Sequence, residues 1–143
     1  MATRTGSAQW RGDLQRGDGD LTVGDGVFRG AYSFASRFEE GEGTNPEELI
    51  AAAHAACFSM ALSNILASNG HTPDRVDTTA QVFLRNVDGA PAIARIALAT
   101  EGVVPGLDAD GFAAFADEAK DGCVVSRALA GVPEIDLTAR LAG

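Results

Sequence analysis

The chain has 143 residues, 45% hydrophobic and 22% charged, a length and mixture that suit one globular domain over residues 1–143 and need neither disulfide nor metal staples. Twenty acidic against eleven basic residues leave a net charge of -9, which disfavours nucleic acid and anionic membrane surfaces and suits a small neutral ligand. Seventeen glycines predict many tight turns, and Cys57 and Cys123 are too few and too widely spaced for a secreted disulfide scaffold or a CxxC metal site.

Residues 1–7 carry no apolar run, so no secretory signal is expected and the location is expected to be cytoplasmic. From Ala8 to Leu14 the residues Ala8, Trp10, Gly12 and Leu14 fall on one face, and Gly17-Asp18-Gly19 reverses the chain. A run at Leu21–Val23, the Gly24-Asp25-Gly26 turn and a run from Val27 through Phe34 complete an expected antiparallel meander.

Gly41-Glu42-Gly43-Thr44-Asn45 reads as a loop leading into a strong helix start. Asn45 is the N-cap, Pro46 the first helical residue and Glu48 the partner three residues after the cap. The helix is expected from Pro46 to Asn69, about 36 Å long, with Gly70 ending it. Its apolar residues occupy nearly every face, so it is expected to be buried on all sides. His54, Ser59, Ser63 and Asn64, the many alanines and the lack of basic flanks argue against a membrane span. A homodimer that sandwiches two such helices is the economical way to cover one.

Arg75–Val87 and Ala92–Thr100 read as strands joined by Asp88-Gly89-Ala90-Pro91. Asp108 caps a helix to Asp121 whose core stripe is Phe112, Phe115, Ala116 and Ala119, and Gly122 breaks it. Cys123–Leu129 is expected to form another helical turn or two. Glu134–Leu141 alternates as a closing strand with Ile135, Leu137, Ala139 and Leu141 inward. The fold class is α+β.

Cys57 sits mid-helix among Ala53, His54, Met60 and Ala61 at helical spacing, where a cysteine is usually a small core hydrophobe and gains nothing from its own helix's N-terminal dipole. A reactive thiol there needs a cation, and Arg37 is the candidate. Cys123 follows Gly122 at the start of a helical segment, where a thiol can be polarised, so the two cysteines are weighed as a redox pair against two inert thiols. His54, one turn before Cys57, raises a Cys57-His54 acyl-transfer dyad as an alternative, and an apolar cavity binding a lipid-like ligand is another. With Glu48 engaged in the cap, Glu47 is free for a second role. It stands about 15 Å from Cys57 along one helix, so it can serve that thiol only through Arg37 or from a partner chain.

The run from Gly43 to Ser63, GTNPEELIAAAHAACFSMALS, closely resembles the signature of the osmotically inducible protein C (OsmC) family, in the wider group that includes the organic hydroperoxide resistance (Ohr) proteins. The Trp10-Arg11-Gly12 hairpin, Tyr32-Ser33-Phe34, Ser36-Arg37-Phe38-Glu39 and the late Cys123 extend it over nearly the whole chain, and His54 with the Ser-Arg-Phe-Glu segment looks like the OsmC branch. The resemblance implies a thiol-dependent peroxidase acting on organic hydroperoxides. It implies an intertwined α+β homodimer whose antiparallel sheets wrap long central helices. By position, Cys57 matches the peroxidatic cysteine, Cys123 the resolving cysteine, and Arg37 and Glu47 the pair that activates the thiolate. The implied reductant is a dithiol such as a protein-bound lipoyl group, and no metal, flavin or haem is needed. The second-cysteine motif commonly reads Cys-Pro-x-Ser, whereas here it is Cys123-Val124-Val125-Ser126, a change expected to alter the mobility of that loop.

Overall fold

The computed structural model describes residues 1–143, and the chain divides into two compact units, residues 1–49 and 50–143. In the first unit, β1 (Gly6–Arg11), β2 (Asp18–Val23) and β3 (Phe28–Tyr32) form an antiparallel meander in the order β1-β2-β3. Trp10 stacks at a tilt on Tyr32, 5.3 Å between ring centroids, and Gly19 lies beneath Tyr32 where a Cβ would come within 2.5 Å of the ring. The first strand starts and stops earlier than its alternation suggests, because Trp10 turns its indole N–H back onto the carbonyl of Gly12 and closes the strand there.

The third run also ends early. At Ser33 the backbone turns into a short helix, α1 (Phe34–Phe38), where the sequence reads as continuing strand to Phe34. Ser33 Oγ accepts from the Ser36 N–H at 3.1 Å while Ser36 Oγ accepts from the Ser33 N–H at 2.8 Å, a reciprocal cap that satisfies two otherwise orphaned donors.

The long helix α2 (Pro46–Ser68) begins as read: Asn45 Oδ1 accepts from the Glu48 N–H at 2.8 Å, and Asn45 Nδ2 donates to Glu48 Oε1 at 2.8 Å. Within the second unit it is not covered on all sides. His54, Phe58, Leu62 and Leu66, four residues apart, form a fully buried stripe, whereas Ala52, Ala53, Ala56, Met60, Asn64 and Ala67 are exposed. By length and composition α2 could cross a membrane; its buried stripe lies instead in a protein core that also contains a histidine.

That core is built on a second sheet of β4 (Arg75–Val87), β5 (Ala90–Val103) and β6 (Glu134–Leu141), in the order β4-β5-β6. The β4-β5 turn is Asp88-Gly89 alone, both at positive φ (52° and 84°), and Ala90 and Pro91 already belong to the ladder opposite Val87 and Asn86. The closing strand spans the expected residues but pairs parallel with β5, so the sheet is mixed and not antiparallel throughout. The chain returns from β5 through α3 (Ala109–Gly122) and α4 (Val124–Ala128), and such a crossover delivers a strand in the parallel sense.

Phe58, Leu62 and Leu66 of α2 join Leu98, Val104, Phe112, Ala116, Ala119 and Cys123 in one buried cluster, flanked by the inward residues Ile135, Leu137, Ala139 and Leu141. Gly102 makes room for it, since a Cβ there would meet the Phe112 ring at 2.5 Å. Gly122 is the last residue of α3 rather than a break just beyond it, and Cys123 serves both as the C-cap of α3 and the N-cap of α4.

Candidate active site

The packing of α3 and α4 against α2 brings the two cysteines together. Both are free thiols close enough for each to influence the other's ionisation, Cys57 half-buried and Cys123 1% exposed. Cys123 is fixed at the helix junction by its own N–H, which donates to Ala119 O at 2.9 Å, and by its carbonyl, which accepts from the Arg127 N–H at 3.0 Å.

The electrostatics divide the pair. Burial pushes the Cys57 thiol up, and the neighbouring Cys123 adds to that; the Val125 and Val124 amides at the start of α4 only partly offset it. Burial acts on Cys123 in the same sense. There it is outweighed by the neighbouring Cys57 thiol and by the polar groups of Ser126 and Val125 at the start of α4, so Cys123 is lowered. Sequence reasoning anticipates the high Cys57 pKa but not the amides at the start of α4, which lie across the fold from α2's own N-terminus.

A second cluster lies in the residue 1–49 unit. Arg37, the candidate cation, stands in the last turn of α1 and grips Glu47 side-on: Nε is 3.2 Å from both carboxylate oxygens and Nη2 is 2.8 Å from Oε1. The loop between them is tied down by Ser36, whose hydroxyl donates to Thr44 O at 2.7 Å, and by Asn45 Nδ2, which donates to Ser36 O at 2.9 Å. Glu48 is spent on the cap, so Glu47 is the carboxylate left to hold Arg37, as the spacing implies. Glu47 is 8% exposed and the Arg37 side chain 37%, so the carboxylate is anchored while the guanidinium keeps an open edge.

Beside Cys57 on α2, Phe58 lies in the core at 0% exposure while Met60 is 75% exposed. His54 does not pair with Cys57. Its Nε2 lies 2.7 Å from Ser126 Oγ, a residue the sequence reading overlooks although the Cys-x-x-Ser spacing puts it one turn after Cys123. Burial lowers the His54 pKa, so between that value and the unfolded value of about 6.5 the unfolded chain binds the extra proton and stability falls as pH drops. His54→Gln is expected to remove an acid-induced loss approaching 1.4 kcal/mol per pH unit. The check is urea unfolding of both proteins from about pH 7.5 to about 5.5, where carboxylates contribute little; parallel profiles would contradict it.

Residues 39–138 match the family described as OsmC-like protein. The chain belongs to the OsmC family. It is 52% identical over 127 residues to peroxiredoxin OsmC of Escherichia coli, covering 88% of this chain and 89% of that one. It is 36% identical over 102 residues to the organic hydroperoxide resistance protein of Xanthomonas axonopodis pv. citri, covering 68% of each. Among solved structures, the organic hydroperoxide resistance protein OhrB of Bacillus subtilis superposes with a TM-score of 0.69 at 27% identity, over 96% of this chain and 98% of that one.

Within this OsmC chain the Val124 position acquires a chemical meaning. Where the resemblance leads one to expect proline, Val124 has a backbone N–H that favours the Cys57 thiolate. Val124→Pro keeps a residue suited to the first turn of α4 but deletes that donor. It is expected to raise the Cys57 thiol pKa by about half a unit to one unit. Thiolate absorbance titrated in a Cys123→Ser background measures it, and an unchanged pKa would show that the Val124 amide does not stabilise the thiolate.

Proposed function

We propose that this protein is a thiol-dependent peroxidase that reduces organic hydroperoxides to alcohols, with Cys57 as the attacking thiolate and Cys123 as the resolving thiol. The observation that carries the proposal is the meeting of two free thiols across two helices in a family whose relatives bear peroxiredoxin and hydroperoxide-resistance names. The Cys57 thiolate attacks the distal oxygen of the hydroperoxide, the O–O bond breaks, the alkoxide leaves with a proton as alcohol, and Cys57 becomes a sulfenic acid. Cys123 then bonds to the Cys57 sulfur and the oxygen departs as water. A dithiol such as a protein-bound lipoyl group returns the two electrons.

Arg37, oriented by Glu47, supplies the positive charge that moves ionisation onto Cys57, from the same chain or from a partner copy. The working assembly is a soluble cytoplasmic homodimer in which residues 1–143 act as one functional domain. Support for the dimer comes from the exposed face of α2, where Ala52, Ala53, Ala56, Met60 and Ala67 form an apolar strip beside the stripe that fills the core.

The test mixes fully reduced protein with cumene hydroperoxide and follows peroxide and free thiols together. One peroxide consumed and both cysteine thiols lost per chain is the expected result; unchanged thiols would overturn the proposal in favour of a ligand-binding role.

A further inference from the structure

Ser126 is the one buried residue of α4, so this five-residue helix meets the core at a single point. There its hydroxyl lies 2.7 Å from Nε2 of His54, which has no exposed surface. This is the one nitrogen–oxygen hydrogen bond that joins α2 to α3 or α4. Each end of it stands three residues from a cysteine: His54 precedes Cys57 on α2, and Ser126 follows Cys123 into α4. The bond and the thiol pair are therefore neighbouring links, about one helical turn apart, between the same two segments. The rest of the ring weighs against a purely packing role. Nδ1 is buried without a hydrogen-bond partner, a penalty that a leucine of similar volume would avoid. Phe58, Leu62, Phe112 and Ala116 already share one apolar cluster, and such packing has no directional preference. What His54 adds is direction.

The turn at Cys123 needs that direction. On the near side α3 fixes it, since the Cys123 N–H donates to Ala119 O at 2.9 Å. On the far side α4 begins with no side-chain cap bond, and Val124 is 64% exposed and leaves its own φ free where a proline would lock it. We infer that the His54–Ser126 bond is the tie that holds the Cys123 turn in register with α2 so that the two sulfurs can join, and that it supplies the restraint a proline at position 124 would give. His54 and Ser126 are thus positioning residues for the second half of the reaction, and the inference rests on the peroxidase reading above. In the step they serve, the Cys123–Cys57 S–S bond forms and the S–O bond of the sulfenic acid breaks. The oxygen leaves as water, carrying its own hydrogen and one proton equal to that given up by the Cys123 thiol. No further oxidant enters, because the hydroperoxide has already taken the two electrons.

Single-turnover mixing of the full reduced chain with tert-butyl hydroperoxide gives two rates, peroxide consumption and the loss of dimedone-reactive sulfenic acid. The double variant His54→Leu/Ser126→Ala removes both ends of the bond and strands neither, so its urea midpoint is expected to stay near the parent's. Its loss of sulfenic acid is expected to slow by about tenfold, because a misplaced thiol pair reacts less often. Adding Val124→Pro is expected to recover most of that factor, since Cys123, at φ −58° and ψ 131°, already has the backbone a following proline requires. His54→Gln, whose amide can still bond Ser126, is expected to stay within about twofold of the parent. Equilibration of the same proteins with reduced and oxidised glutathione, without peroxide, is expected to show an effective concentration of the thiol pair about tenfold lower in the double variant. An unchanged sulfenic acid rate in the double variant, a proline that recovers none of the loss, or a glutamine no better than the double variant would each overturn the inference. If the leucine variant does not fold, Ser126→Ala with and without Val124→Pro decides it. Should the parent consume no peroxide, the peroxidase reading fails, and the glutathione series still decides the role of the tie.

Discussion

Cys57→Ser is expected to abolish organic hydroperoxide reduction, by at least about a thousandfold, while leaving the fold nearly intact. The substitution is almost isosteric, and the sulfur is half-buried on the flank of the α2 stripe rather than in the closed core, so little packing is lost. The chemistry does not survive it: a serine hydroxyl stays protonated at neutral pH and is a far weaker nucleophile toward a peroxide oxygen than a thiolate. Cys123→Ser separates the two halves of the cycle, since one attack per Cys57 remains available and then the protein stalls as a sulfenic acid. Peroxide consumption with an excess of dithiol, together with intact mass after dimedone labelling, reads both variants. Full residual turnover in Cys57→Ser would refute the assignment.

Arg37→Met is expected to have the next largest effect, because the pair of thiols does not by itself put the charge where the reaction needs it. Burial and the neighbouring Cys123 both push the Cys57 pKa up, so the activation model calls for a cation to lower it, and an opposite charge nearby moves a pKa by about one to three units. Losing it is expected to lower the second-order rate of Cys57 oxidation at pH 6 by about tenfold or more, with partial recovery at high pH as the thiol deprotonates unaided. Recovery is expected to stay incomplete if the guanidinium also orients the reacting groups. Glu47→Gln is expected to act in the same direction more weakly, since Arg37 keeps its charge but loses its bidentate anchor. The double variant Arg37→Met/Glu47→Gln removes the stranded, nearly buried carboxylate and separates rate from stability. Rates measured from pH 5 to 10 decide it: an Arg37→Met protein as fast as the parent at pH 6 would end this activation model.

Elements whose signals are local are legible in the residues themselves. Asn45, Pro46 and Glu48 announce the start of α2, Asp108 announces α3, and the alternation of Ile135, Leu137, Ala139 and Leu141 gives both the limits and the inward face of β6. What stays hidden depends on partners distant in sequence. The sense of β6 is set by the crossover before it, not by its own alternation. The helix α1 is missed because Phe34 and Phe38 read equally well as strand residues, and the deciding bonds are two serine caps on a five-residue segment. The resemblance supplies the pairing of Cys57 with Cys123, which spacing alone leaves open. The His54-Ser126 bond spans 72 residues and has no trace in either local pattern, so the nearer and chemically plausible Cys57-His54 dyad stands in its place.

The parallel seating of β6 also orders the events of folding. The β4-β5 ladder closes through a two-residue turn and needs only neighbouring chain, so it can form on the microsecond scale of hairpins. The β5-β6 ladder brings Arg95 to Glu134 and Gly102 to Leu141, across the intervening α3 and α4. Its loop-closure entropy must be met before any rung rewards it, which places it late and makes it the slower contribution to the folding rate. Cys123 lies inside that late-closing segment and Cys57 on a helix outside it. The junction that carries Cys123 is therefore expected to settle against α2 late, and a nascent chain is expected to keep the two thiols apart until then.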